Sequence, residues 1–298
     1  MNKTLYIAAL SLGLWSCSSN DTEPLASGNF PQDHVIRVTA GVNEPRSRAG
    51  YDATNLDRFG LIVTNSANDA YCYHKLMTGT GSTWNTADGQ PMLWDADRTP
   101  VTVIAYAPYS ETAGAGASVA VKALTDQSTA ANVKESDFLV RKALVNPDQD
   151  LTADGKLKVT LDHAMSKLSI VITVNGSAAA DMSKLGDVAI NGAVTEGSCD
   201  FSATVPAVTA TAGAAPATVT AFKGTETCEC ILPPQTIADG FSINFSYDGK
   251  LYVWNATDPV ILDSGVEYTL TLNVNTTVRL ETCTARNRAT GAIIGVTK

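Results

Sequence analysis

Residues 157–174 read LKVTLDHAMSKLSIVITV, and the apolar positions in this stretch decide the fold class. Leu157, Val159 and Leu161 fall on one face of an extended chain, and Leu168, Ile170, Ile172 and Val174 repeat the pattern after a polar break. Alternation with a period of two marks a half-buried strand, because successive side chains of a strand point to opposite faces. The pattern spreads outward in both directions. Ile36, Val38, Ala40 and Val42 share a face, as do Phe59, Leu61 and Val63, then Val101, Val103 and Ala105. Near the C-terminus Tyr268, Leu270, Leu272 and Val274 face one way while Thr269, Thr271 and Asn273 face the other.

Turn residues separate these runs. Asp248-Gly249 lies between two apolar segments and is the strongest short hairpin signal in the chain. Asp154-Gly155 precedes another strand. Short, threonine-rich strands with one polar face predict an all-β chain of antiparallel β-sandwiches. Helix is expected only as a minor element, near residues 136–142 or 178–184. A sandwich commonly takes about 100 residues, so a chain of 298 predicts two. The proline-bearing Asn146-Pro147-Asp148-Gln149-Asp150 interrupts the apolar pattern and places the boundary near residue 155. The N-terminal sandwich is thus expected over 34–155 and the second over 156–298. The Ala/Thr/Gly/Pro-biased residues 207–221 read as a long exposed loop of the second half.

Export is written at the N-terminus. Lys3 precedes an apolar run from Leu5 to Trp15, too short to span a bilayer, which takes about 20 residues, and suited to a signal-peptide core. It ends in Leu14-Trp15-Ser16-Cys17, which resembles the lipobox of bacterial lipoproteins. Residues 1–17 are therefore expected to be a lipoprotein signal with lipidation at Cys17, and 18–33 a polar tether. An ordinary secretory signal cut nearby is the alternative, and it too exports the chain.

Charged residues make up 17% of the chain and the net charge is −9, which excludes the basic footprint of a nucleic-acid binder. Beyond Cys17, Cys72, Cys199, Cys228, Cys230 and Cys283 remain, an odd number for disulfide pairing. Cys228 and Cys230 share a strand face, so a bridge from one of them to Cys199 or Cys283 is expected before a bridge between the two. The three histidines, His34, His74 and His163, have no ligand spacing, so neither zinc nor any other cofactor is expected. Asp150-Leu151-Thr152-Ala153-Asp154-Gly155 opens like a calcium loop but has Leu161 where the closing glutamate belongs. Asp162 and His163, adjacent on a strand, point apart and do not form a catalytic pair. With no phosphate-cradling loop or nucleophile elbow either, the chain does not read as an enzyme.

Four segments carry a family resemblance. Trp94 followed by Val101-Thr102-Val103-Ile104-Ala105-Tyr106-Ala107-Pro108 resembles the Trp…AYAP segment of fimbrillins, the type V pilins of a group of Gram-negative anaerobes. Asp137-Phe138-Leu139 is similar to the element that follows it there. Leu161-Asp162-His163-Ala164-Met165-Ser166-Lys167-Leu168 matches the HxxSKL signature, and Gly265-Val266-Glu267-Tyr268-Thr269-Leu270 the late GxxYTL strand. The resemblance implies two transthyretin-like β-sandwiches in tandem, exported as an outer-membrane lipid-anchored precursor and matured to the cell surface or fimbrium. It implies processing by an arginine-specific protease that removes an N-terminal strand. A neighbouring subunit's C-terminal strand then fills the groove by donor-strand exchange, in a homo- or heteropolymer contributing to adhesion.

Residues 34–42 supply the removable strand, roughly 30 Å long when extended. Glu44-Pro45-Arg46-Ser47-Arg48-Ala49-Gly50 follows, and its Arg48-Ala49 junction resembles the family's cleavage site best, with Arg46-Ser47 second. Residues 276–298 are the candidate donor: Val278 and Leu280 alternate, Ala285-Arg286-Asn287-Arg288 breaks the pattern, and Ala292, Ile294 and Val296 resume it. A stalk, tip or accessory role is left open. The alternative is a monomeric surface lipoprotein that binds carbohydrate or a host ligand through loops such as 207–221.

Overall fold

Strands form wherever β-branched and aromatic residues alternate with Thr, Ser and Lys, and they dominate the chain. The structure, a computed structural model, describes residues 29–43, 50–176 and 178–297. The first half contributes β1 (Val38–Val42), β2 (Arg58–Thr64), β3 (Tyr73–Thr80), β4 (Thr83–Thr86), β5 (Val101–Ala107) and β6 (Ser118–Lys122). A short helix, α1 (Ala130–Ser136), leads into β7 (Leu139–Val145) and β8 (Leu157–His163). The second half begins with β9 (Ser166–Val174), β10 (Ala178–Ala179), β11 (Leu185–Ala193), β12 (Glu196–Asp200) and β13 (Val208–Ala210). It continues through β14 (Ala217–Thr220), β15 (Phe222–Lys223), β16 (Cys228–Leu232), β17 (Gln235–Ile237), β18 (Ser242–Tyr247) and β19 (Lys250–Asn255). It closes with β20 (Val260–Leu262), β21 (Val266–Val274), β22 (Val278–Asn287) and β23 (Ile293–Thr297).

The first domain is a closed path of seven strands in the order β1-β4-β3-β2-β5-β7-β8. Closure is thin at two seams. β1 meets β4 through the single pair Val38↔Trp84, and β7 meets β8 only at Leu139↔His163 and Val140↔Asp162. Phe59, Leu61, Met77, Trp84, Trp94 and Leu161 fill the interior. The second domain is a sandwich. A sheet ordered β15-β16-β9-β21-β22-β23, with β10 beside β9, packs against β14-β11-β18-β19. Leu168, Ile170, Leu272, Val188, Ile190 and Phe245 lie between the two. The Asp248-Gly249 hairpin forms as its sequence predicts, with both residues at positive φ (+50° and +77°), joining β18 to β19.

The two domains are welded together. β6 of the first half pairs with β12 of the second over five positions, and β13 extends that sheet. Beneath it a third core holds Ile104, Tyr106 and Phe138 from one side and Met165, Cys199 and Phe201 from the other. Tyr106 and Phe201 pack with ring centroids 5.0 Å apart. Gly60 makes room for this arrangement: a Cβ there would lie 2.3 Å from the Tyr106 ring.

Several expectations are corrected. The sheets are not purely antiparallel, since β1 runs parallel to β8 and β21 parallel to β9. Alternation reports a strand's faces but carries no information on its neighbour's direction. β8 belongs to the first sheet, and the chain passes from it into β9 of the second through Ala164-Met165. The proline-bearing turn at 146–150 separates two strands of one sheet. Residues 207–221 are no exposed loop: β13 and β14 run through them, with Val208, Val219 and Ala221 buried. Helix α1 ends where the first expected helix begins, and residues 139–145 are a strand because Leu139 and Val140 fill the core. No disulfide joins Cys72, Cys199, Cys228 and Cys230. Cys199 lies in the inter-domain core while Cys228 and Cys230 line the second sandwich, and burial pushes the thiols of Cys199 and Cys228 up to about 12.

Phe201 is fully buried at the weld. Phe201→Ala is expected to cost about 3–5 kcal/mol and to split one thermal unfolding transition into two. Differential scanning calorimetry reads both, and a single unshifted transition would contradict the assignment.

Candidate functional site

The strand proposed for removal lies inside the first sheet. β1 pairs with β8 at five consecutive positions, Val38↔Leu157 through Val42↔Leu161. Before it, Ile36 N donates to Met92 O at 2.9 Å and Trp94 N to His34 O at 2.7 Å, so the edge continues as an irregular extension bridged at Val35↔Leu93. Regular pairing is therefore shorter than residues 34–42. Ile36, Val38 and Val42 are buried in the first core and Ala40 packs against it, the face that the sequence pattern predicts. After β1, Asn43 N donates to Leu161 O at 2.8 Å and its side chain to Asp162 at 3.0 Å. Cys17, Arg46 and Arg48 lie outside the described residues.

Where the chain resumes, Gly50 and Tyr51 meet a buried charge. Asp137, at the end of α1, receives Tyr51 N at 3.3 Å and a hydrogen bond from Phe138 N at 3.1 Å. Its Oδ2 lies 2.8 Å from His163 Nδ1 at the end of β8. Arg288, just past β22, donates to both Asp137 oxygens, at 3.3 and 3.1 Å, and approaches His163 Nε2 at 3.4 Å. All three side chains are at most 1% exposed. Gly50 has φ +104°, and a Cβ there would stand 2.9 Å from Asp137 Oδ2, so the close approach needs glycine. Burial alone would raise the Asp137 carboxyl; the charges of Arg288 and His163 beside it outweigh that and hold it well below the usual carboxylate range.

The HxxSKL segment is thus a junction between the two domains. His163 ends the first domain on Asp137. Ser166 Oγ donates to Asp263 O at 2.7 Å, and the buried Lys167 reaches Glu229 at 3.3 Å and Glu267 at 3.6 Å. Asp137 and His163 were each visible in separate motifs, but their pairing was not, being 26 residues apart in the chain. Arg288 was missed; its only signal was that it broke the alternation of the C-terminal tail.

The C-terminal tail is paired within its own domain. β22 runs antiparallel to β21, and β23 pairs back on β22 as the outermost strand. Ile293, Ile294 and Val296 on β23 are 56–57% exposed. A cleft of about 450 Å³ opens nearby between the sheets of the second sandwich, lined by Phe241, Trp254, Pro259, Tyr268, Leu270 and Leu280 among others. Trp84 and Trp94, by contrast, are buried in the first core. No helix among the described residues is long and apolar enough to cross a membrane.

Comparison with known proteins gives one family and several similar solved structures. Residues 47–287 match the family described as fimbrillin-like. A solved structure from Bacteroides uniformis, of a protein provisionally assigned to cell adhesion, aligns at TM-score 0.65 and 19% identity, covering 86% of this chain and 99% of its own. A second, of the same description from Bacteroides ovatus, aligns at 0.66 and 17% identity, covering 89% and 97%. The tip fimbrial protein Mfa3 of Porphyromonas gingivalis aligns at 0.48 and 10% identity, covering 85% and 98%. No curated protein matches the sequence.

Asp137→Asn strips the charge that Arg288 faces in the buried cluster and is expected to cost about 3–5 kcal/mol. Because the native carboxyl is depressed, its stabilisation is present above the unfolded-chain value and is lost as pH falls toward the native one. The stability gap between wild type and Asp137→Asn, measured by denaturant titration, should therefore narrow as pH drops below about 4. A gap that widens in acid would overturn the charge assignment.

Proposed function

The chain belongs to the fimbrillin-like family, and from that premise we propose that it is a structural or tip subunit of a cell-surface fimbria, contributing to adhesion. In this reading it is exported as an outer-membrane lipoprotein modified at Cys17, and an arginine-specific protease cuts it after Arg48 or Arg46. The two domains then behave as transthyretin-like sandwiches, and subunits join by donor-strand exchange into a homo- or heteropolymer.

One observation carries the reading. β1 contributes Val38 and Val42 to the core and is followed in sequence by the arginine pair, yet it is held by one neighbour along its length and by a single pair on the other side. At about 1.5–3 kcal/mol per large buried side chain, its loss leaves an apolar slot several kcal/mol deep. The slot would be edged by the unpaired amides and carbonyls of β8, which favours capture of another strand. The family match starts at residue 47, so β1 stands ahead of the matched region. The exposed apolar face of β23 supplies a strand of the right character. A second reading, a monomer that binds carbohydrate or a host ligand, has the half-buried Trp254 in its aromatic cleft in its favour.

Replacing Arg46 and Arg48 together by alanine should leave a folded precursor that does not assemble, whereas cleaved wild type gives a ladder of heat-sensitive multimers in detergent gels. Normal filaments from the double variant would reject the processing site, and persistent monomers after confirmed cleavage would favour the ligand-binding monomer. Cys17→Ala should abolish palmitate labelling; labelled protein would move the anchor elsewhere.

A further inference from the structure

Between residues 275 and 296 one side chain is buried, and it is the guanidinium of Arg288. Every residue of β22 is half-buried or exposed, and β23 turns Ile293, Ile294 and Val296 to solvent. The hairpin is tied to β21 by a backbone ladder of nine pairs, and its apolar contact with the second core is made by Val278, Leu280 and Cys283, each only partly buried. Its turn is fixed in the domain junction: Arg288 N donates to Gly265 O at 2.8 Å while the side chain enters the Asp137–His163 cluster.

We propose that Arg288 is the latch that keeps the C-terminal hairpin β22–β23 folded back on its own domain, and that opening the Asp137–His163–Arg288 cluster frees the hairpin for a second copy of the chain. That last use rests on the strand-exchange reading; the latch does not. A large apolar anchor would hold the hairpin through many small contacts and yield gradually. A buried ion pair holds through a few hydrogen bonds and fails when one partner moves, since a lone buried charge is strongly disfavoured. Arg288 Nε has no hydrogen-bond partner, so the cluster is not built for maximal stability. Its acceptor is in turn fastened to Tyr51 N, three residues beyond Arg48 in sequence, so the latch and the processing segment share a contact.

Hydrogen exchange followed by mass spectrometry on the intact, uncleaved chain tests the latch without assembly. Arg288→Met should speed exchange of the amides in residues 278–297 by at least about tenfold, the scale of a lost buried hydrogen bond to a charged group. Amides of β2 and β5 should keep their wild-type rates. Arg288→Lys, which retains the charge and does not depend on Arg288→Met folding, should fall between Arg288→Met and wild type. Unchanged exchange in 278–297, or an equal rise in every strand, would overturn the proposal. In a second arm, cleaved Arg288→Met should form heat-sensitive multimers faster than cleaved wild type. Local exchange as expected with no multimers from either protein would uphold the latch and remove the strand-exchange reading.

Discussion

Asp137, at the end of α1, keeps a negative charge where water does not reach, and three distant pieces of chain converge on it. The backbone at Tyr51, the last residue of β8 and the residue after β22 each contribute a contact. An isolated carboxylate in such a place would be prohibitively costly, so the contacts are obligatory once the site is buried. They set where the first domain ends, because His163 is the last residue of β8, and where the C-terminal hairpin turns. The crossing of the chain at Ala164-Met165 lies between these two constraints.

Around that point the domains share a core and a sheet. The β6–β12 ladder and the packing of Tyr106 on Phe201 make the two domains one mechanical body. Shared apolar area of this kind leaves little freedom for one domain to swing against the other. Rigidity in the middle contrasts with light attachment at both ends. β1 closes the first sheet through one long parallel pairing and a single pair on its far side. β23 closes nothing, and its apolar side chains face solvent. A rigid centre with one lightly held strand at each end is what the proposed joining of subunits by strands would need.

The thiols follow the same logic of burial. Cys199, Cys228 and Cys230 sit in cores at positions where side chains alternate inward, and they act as small apolar residues. Burial pushes their thiols up, which suppresses the thiolate that disulfide chemistry needs. Counting cysteines suggested bridges, but packing placed Cys199 in the inter-domain core and Cys228 and Cys230 in the core of the second domain.

Local pattern was enough to identify many of the strands, though not β7, β13 or β14. Alternation at Ile36–Val42, Leu157–Leu161 and Leu168–Val174, and the Asp248-Gly249 turn, are properties of adjacent residues and read directly from the chain. The same holds for the apolar face of β1, since a strand's inward side is set by its own residues. Which strand lies beside which is another matter. The parallel pairings of β1 with β8 and of β21 with β9, and the crossing between sheets after His163, depend on contacts far apart in the chain. The pairing of Arg288 with Asp137 across 151 residues was beyond any periodicity, and it looked like a defect in the pattern of the tail. Alternation records only which side of a strand avoids water; a partner for a buried charge exists only once folding has brought distant segments into contact.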